Sequence, residues 1–254
     1  MRRHPLFNRL AKPLPPIYPD AVTPVAWDDD NPLEEVEGVV YLVSRSCAVM
    51  RDWAKKLRAL YRLDKTYKTD AGFSPLSLKP LDAAELRSIG EAELSVYGRT
   101  WNEVRSVQSG HYLYLTLPLM AVVLDRAGGN PVGFVSFRLK WTVSADRTDV
   151  RGVDLEIEPG QAWITPEFRG RGWGELVAIA IAMTASQHIN QLQDSTRWPK
   201  GFTVPMKVTV GADIYSTSGE RFLLHCASYM AIQLDMLDNP SRFEIGEVDF
   251  DPRW

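Results

Sequence analysis

The chain has 254 residues, enough to bury a large core without disulfides or a structural metal. Its composition, 45% apolar and 24% charged, excludes wholesale disorder. A net charge of -3 from 29 basic and 32 acidic side chains lacks the basic footprint of a nucleic-acid binder. Two cysteines, Cys47 and Cys226, are too few for a disulfide framework or a zinc site and point to a reducing compartment. No apolar run approaches the roughly 18 residues needed to span a bilayer, so no membrane partner is expected. Met1-Arg2-Arg3-His4-Pro5 is not followed by the apolar stretch of a secretory signal, which places the expected location in the cytoplasm.

Seven of the 17 prolines fall in the first 32 residues. Proline removes backbone donors and forces its predecessor out of the α region, so this stretch reads as an extended arm. Asp28-Asp29-Asp30 closes it as a solvated loop. Residues 44–62 read as an amphipathic helix with Ser46 as N-cap. Cys47, Met50, Trp53, Ala54, Leu57, Leu60 and Tyr61 share one face, and Arg51, Lys55, Lys56, Arg58 and Arg62 the other. Together these form an N-terminal extension, residues 1–70, ahead of a main domain over 71–254.

The main domain opens with a short strand over Phe73 to Pro80. A helix follows from Leu81-Asp82 to about Val96, capped by Asp82 with Glu85 three residues on. The spacing predicts a second short helix over Trp101 to Val107. Tyr112 to Asp125 and Pro131 to Val143 are rich in β-formers and flank a Gly-Gly turn, the pattern of a hairpin. A further strand runs from Val153 to Thr165, with Pro159-Gly160 marking an edge or bulge. Then come a helix over Trp173 to Leu192, a strand over Pro205 to Ile214, a helix over Ser218 to Leu237 and a strand over Phe243 to Phe250. Strands alternating with helices indicate an α/β protein with a mixed sheet.

The stretch that carries chemistry is Gln161-Ala162-Trp163-Ile164-Thr165-Pro166-Glu167-Phe168-Arg169-Gly170-Arg171-Gly172-Trp173-Gly174-Glu175. It reads as a strand, a turn with three glycines and two arginines, and a helix N-terminus. Such a terminus offers unpaired N–H groups and a partial positive charge, a ready anion site. Arg169 and Arg171 add charge. The P-loop pattern fails because no Gly-Lys-Ser/Thr follows, and Gly170-x-Gly172-x-Gly174 lacks the dinucleotide spacing.

The run Arg169-Gly170-Arg171-Gly172-Trp173-Gly174 resembles the acetyl-CoA motif of the GNAT N-acetyltransferases, Arg/Gln-x-x-Gly-x-Gly/Ala. Ile164-Thr165-Pro166-Glu167-Phe168 is similar to that family's Val-x-Pro-Glu-Tyr lead-in. The motif likeness covers about 15 residues, the order of strands and helices extends it from about Phe73 onward, and residues 1–70 lie outside it. The resemblance implies a mostly antiparallel central sheet flanked by helices. It implies that backbone groups of Ala162, Trp163 and Ile164 hold the pantetheine arm of acetyl-CoA, and that N–H groups from Arg169 to Gly174, including Gly170, Arg171, Gly172 and Trp173, hold its pyrophosphate. It also implies a bulge that parts this strand from the next and opens the cofactor slot.

The implied reaction is direct transfer of an acetyl group to a primary amine, on a small molecule or on a protein or peptide. Glu158 takes the place of the family's base. Glu156, two residues earlier on the same face, would help attract a cationic amine. The family's acid is often a tyrosine at the end of Asn-x-x-Ala-x-x-Leu-Tyr. Ser218-Gly219-Glu220-Arg221-Phe222-Leu223-Leu224-His225 departs from that pattern and puts His225 in the tyrosine's place, with Tyr229 and Tyr215 as competitors. Tyr97, Trp101 and the segments near 144–152 and 195–203 fall where the acceptor pocket is built. Trp173 and Cys226 read as core residues, and His4, His111 and His188 have no metal-ligand spacing. A homodimer through the extension is compatible with this reading. The alternative is a catalytically inactive GNAT-like acyl-CoA-binding regulator or protein-interaction module.

Overall fold

A computed structural model describes residues 23–25, 38–43, 48–64, 72–73, 80–81, 105–109, 112–125, 130–145, 150–194, 203–214, 216–237 and 242–253. In chain order the elements are β1 (Thr23–Val25), β2 (Gly38–Val43), α1 (Ala48–Leu63), β3 (Gly72–Phe73), β4 (Pro80–Leu81), β5 (Arg105–Ser109), β6 (Tyr112–Asp125), β7 (Pro131–Ala145), β8 (Val150–Ile164), α2 (Trp173–Asp194), β9 (Val204–Asp213), α3 (Thr217–Asp235) and β10 (Phe243–Arg253). A 3-10 turn, Pro166–Phe168, lies between β8 and α2.

The main sheet runs β1-β2-β6-β7-β8-β9-β10, with β5 also on β6. Every pair from β1 to β8 is antiparallel, while β8, β9 and β10 run parallel. Parallel neighbours need crossover connections, which α2 and α3 provide. The protein is thus α/β with a mixed, mostly antiparallel sheet.

Three expectations give way here. The single strand over Phe73 to Pro80 is instead two dipeptides, β3 and β4, paired with each other. The helix expected over Trp101 to Val107 is replaced at its end by β5, whose pairing with Tyr112–Thr116 of β6 overrides the local helical spacing. The extended arm contributes β1, and β2, not foreseen at all, lies antiparallel along β6. Of the helix expected from Leu81-Asp82 to Val96, Leu81 belongs instead to β4 and the rest lies outside the described residues, as do Ser46, Tyr97, Trp101 and Tyr215.

Alternation along the strands builds two cores. On one face Leu119, Ala121, Phe137, Leu139, Trp141, Leu155, Ile157, Met206 and Val208 pack against Val177, Ile181 and Ile189 of α2 and Leu223, Cys226 and Met230 of α3. On the other, Met120, Val122, Leu124, Phe134 and Trp163 meet Leu57 and Tyr61 of α1. Residues on both sides of position 70 therefore share one sheet and one cluster. Leu60, expected on the buried face of α1, is exposed.

β8 changes parity on its way. Val135 pairs with Ala162 but Phe137 pairs with Pro159, so β8 carries one residue more than β7 across this step. An inserted residue turns all later side chains to the opposite face. Leu155 and Ile157 consequently face α2 and α3, whereas Trp163 faces α1. Gly160 permits the bulge, because a Cβ there would stand 2.7 Å from Ser136 Oγ. That hydroxyl accepts a hydrogen bond from the Gln161 N–H at 3.0 Å.

Candidate functional site

The bulge coincides with a parting of the sheet. β8 pairs with β9 from Val153↔Met206 to Ile157↔Val210 and no further, while β9 continues with β10 to Arg253↔Asp213. Beyond Ile157 the β9-facing edge of β8 has no strand partner among the described residues. The Thr165 N–H donates to Val132 O on β7. By strand alternation the backbone groups of Ala162 and Ile164 point the other way, toward the gap. The Ile164 carbonyl there accepts a bond from Arg169 Nε at 2.9 Å. Ala162 itself is exposed, and Trp163 is buried in the α1 cluster.

The glycine turn leads from β8 to α2. Gly170 and Gly172 have φ of 76° and 79°, a region that costs other residues a steric penalty. The Gly172 carbonyl accepts the N–H groups of both Glu175 and Leu176, so it opens the helix. Among the described residues, the N–H groups of Gly170, Gly172, Trp173 and Gly174 have no hydrogen-bond acceptor. A Cβ at Gly170 would meet nothing within 4 Å, so the turn faces open space. This is a donor set suited to an anion such as a diphosphate.

Arginines in the turn behave differently from the simplest expectation. The Arg169 N–H donates to Pro166 O. Its guanidinium pairs with Asp64 at the end of α1, which is almost fully buried and also accepts from Trp163 Nε1 at 2.9 Å. Arg169 thus braces the turn from behind. Arg171 is exposed, with its guanidinium carbon 5.2 Å from the centre of the Phe168 ring. The Trp173 side chain is buried in the larger core, so only its backbone is open to a ligand.

α3 flanks this turn. Phe222, His225 and Tyr229 fall on one stripe of the helix at three- and four-residue spacing. A Cβ at Gly174 would lie 3.9 Å from Phe222. The Tyr229 hydroxyl donates to Glu175 in the first turn of α2. Partial burial and that bond push the phenol up to about 12, so its proton is held. His225 is exposed, with its ring centre 6.5 Å from that of Tyr229. Burial pushes the Cys226 thiol far up, so the thiolate is suppressed and the residue packs as a small apolar group.

Glu156 and Glu158 share the face opposite α2 and α3, and both are already engaged. Lys140 Nζ lies 2.7 Å from Glu158 and 3.6 Å from Glu156. Arg138 stands 3.4 Å from Glu158, and Arg253 reaches Glu156 at 3.4 Å, Glu158 at 3.5 Å and Asp213 at 3.5 Å. Three cations therefore balance three carboxylates, and the expected acidic pull on an amine is offset. Glu156 lines a polar groove of about 780 Å3, with Tyr114, Lys140, Asp154, Lys207 and Asp251 among its walls. Lys207 pairs with Asp249 at 2.6 Å, which holds its ammonium above the usual lysine range.

No family model matches the chain, and no curated protein does. Among the described residues no helix is long and apolar enough to cross a membrane. No group of three or more His, Cys, Asp and Glu side chains among them converges to hold a metal.

The structure brings together Ala162, Trp163, Ile164 and the turn from Arg169 to Gly174, and sets Tyr229 beside the α2 N-terminus. Glu156 and Glu158 belong to the opposite face. Sequence reasoning missed Asp64, Glu175 and the cations Arg138, Lys140 and Arg253. The two on β7 were reachable from the hairpin register, which sets Arg138 opposite Glu158 and Lys140 opposite Glu156. Nothing in the sequence marks Asp64 as the partner of a residue 105 positions later.

Proposed function

We propose that the chain is a GNAT-like acyl-CoA-dependent N-acetyltransferase that transfers an acetyl group to a primary amine. The carrying observation is the parting of β8 from β9 after Ile157, next to an α2 N-terminus opened by Gly170 and Gly172. An extended, amide-bearing arm ending in a diphosphate fits both parts. Its amides would meet the Ala162 and Ile164 backbone, and its phosphates the N–H groups of Gly170, Gly172, Trp173 and Gly174.

Acetyl-CoA, once bound, supplies a thioester open to attack by an amine. The chain's own residues have the remaining tasks. The strand edge orients the arm, and the turn offsets the phosphate charge. Glu158 accepts the proton that the amine must lose, directly or through a water, and Lys140 at 2.7 Å holds its carboxylate in place. His225, exposed on α3 where the family's tyrosine is expected, would donate a proton to the leaving thiolate.

A second reading has its own support. Glu158 lies among Arg138, Lys140 and Arg253, and the Tyr229 hydroxyl is committed to Glu175. Two of the three acid–base candidates are thus engaged, as a non-catalytic acyl-CoA-binding module would tolerate. Calorimetric titration with acetyl-CoA tests the shared premise, with Gly174→Glu alongside. Gly174 is exposed in the first turn of α2 with an ordinary φ, so a carboxylate there suits the helix but repels a phosphate. Saturable binding by the wild type, lost in the folded variant, supports the reading. Absence of wild-type binding to acetyl-CoA and to longer acyl-CoAs refutes it. A survey of amines with the bound protein then separates the enzyme from the module.

A further inference from the structure

We infer that Asp64 is a positioning residue for the anion-binding turn, acting through Arg169. The inference rests on the acyl-CoA reading above. The carboxylate of Asp64 is almost fully buried at the end of α1, where an uncompensated charge would be costly. Its partners include the Trp163 indole N–H at 2.9 Å and the Arg169 guanidinium. The same guanidinium donates through Nε to the Ile164 carbonyl at 2.9 Å. One carboxylate thereby ties the last residues of β8 and the first residue of the glycine turn to α1.

Charge and geometry make Arg169 a brace. Its Nε is turned to Ile164 and its terminal nitrogen to Asp64, while its backbone N–H closes on Pro166. The turn beyond it contains Gly170 and Gly172, which have wide conformational freedom when unsupported. Fixing the residue before them presents their N–H groups as a preformed set, so less ordering is left for the ligand to impose.

Asp64→Asn tests this while preserving shape. Asparagine still accepts from Trp163 but no longer carries the charge that Arg169 meets. Calorimetric titration with CoA is expected to show affinity weakened by about tenfold, as lost preorganisation implies. In the ligand-free variant the Gly170 and Gly172 amide resonances should broaden or shift, which a remote loss of stability would not produce. Arg169→Gln, with melting temperatures recorded throughout, should weaken CoA to a similar degree. The double variant should then be no weaker than Arg169→Gln alone, because both changes break one link. Additive losses in the double variant overturn the inference, since Arg169 would then grip the phosphate itself. Equal CoA affinity in wild type and Asp64→Asn also overturns it, with the acyl-CoA reading intact. Absence of CoA binding by the wild type overturns that reading and this role together.

Discussion

His188 provides the sharpest quantitative test of the packing. It lies on the sheet-facing side of α2, fully buried, with its ring centre 5.2 Å from that of Trp141. Among the described residues, neither ring nitrogen has a hydrogen-bond partner. Burial alone lowers its pKa from 6.5 to about 3. The sign follows directly. Between about 6.5 and 3 the unfolded chain takes up a proton that the folded chain refuses, so stability falls as pH falls through that window and is flat above it. From pH 7 to pH 5 the loss due to this residue is about 2 kcal/mol. That figure barely changes if the folded value is a unit higher, because at pH 5 the folded ring stays neutral either way. For a chain of this size it corresponds to a melting shift of roughly 4–8 °C. His188→Leu keeps the volume and removes the titration. Carboxylates also contribute at pH 5, so the measured quantity is the difference between wild type and variant in urea unfolding at the two pH values. The variant should also gain about 1 kcal/mol at pH 7, since it no longer buries two unpartnered nitrogens. Equal losses in the two proteins from pH 7 to pH 5 would refute the reasoning and mean that water or a partner reaches the ring.

Three further outcomes are expected. Gly170→Ala should cost about 1 kcal/mol in chemical unfolding, from the left-handed backbone alone, because its Cβ has open space; a neutral result would mean that the turn adopts another conformation. Glu158→Gln should leave acetyl-CoA affinity within about twofold but lower the rate of transfer to an amine by about 100-fold or more, the usual scale of a lost base; an unchanged rate would exclude Glu158 from proton transfer. Tyr229→Phe should destabilise by about 1 kcal/mol through the lost bond to Glu175 and change the transfer rate by no more than about threefold. A larger rate loss would show that the hydroxyl leaves Glu175 during turnover.

Local patterns identified the elements whose signals are local. The hairpin β6–β7 was legible because Val122, Val123, Val132 and Val135 flank a glycine turn, and α3 because its buried Leu223, Cys226 and Met230 repeat at helical spacing. The turn after β8 was legible as a glycine turn opening a helix, from Gly170, Gly172 and the residues that follow. β5 was not, because its strand character comes from pairing with β6 rather than from its own residues. β2 carries a strand signal in its apolar Val39–Val43 run, short and set close to the proline-rich arm. Charge roles were the least legible. Glu156 and Glu158 read alone as an acidic lure, but register sets Lys140 and Arg138 opposite them, and the Arg169 guanidinium that reads as a phosphate donor pairs with Asp64.

The long reach of that last contact bears on how the protein matures. Asp64 leaves the ribosome 105 residues before Arg169, and Trp163 follows Asp64 by 99. Until then the carboxylate lacks both Trp163 and Arg169, and the face of α1 bearing Leu57 and Tyr61 awaits Phe134 and Trp163. Such distant pairings form late and slowly. Synthesis therefore cannot yield a braced turn before β8 and the residues just beyond it have emerged. Ligand competence should appear late in refolding, after the hairpin has formed.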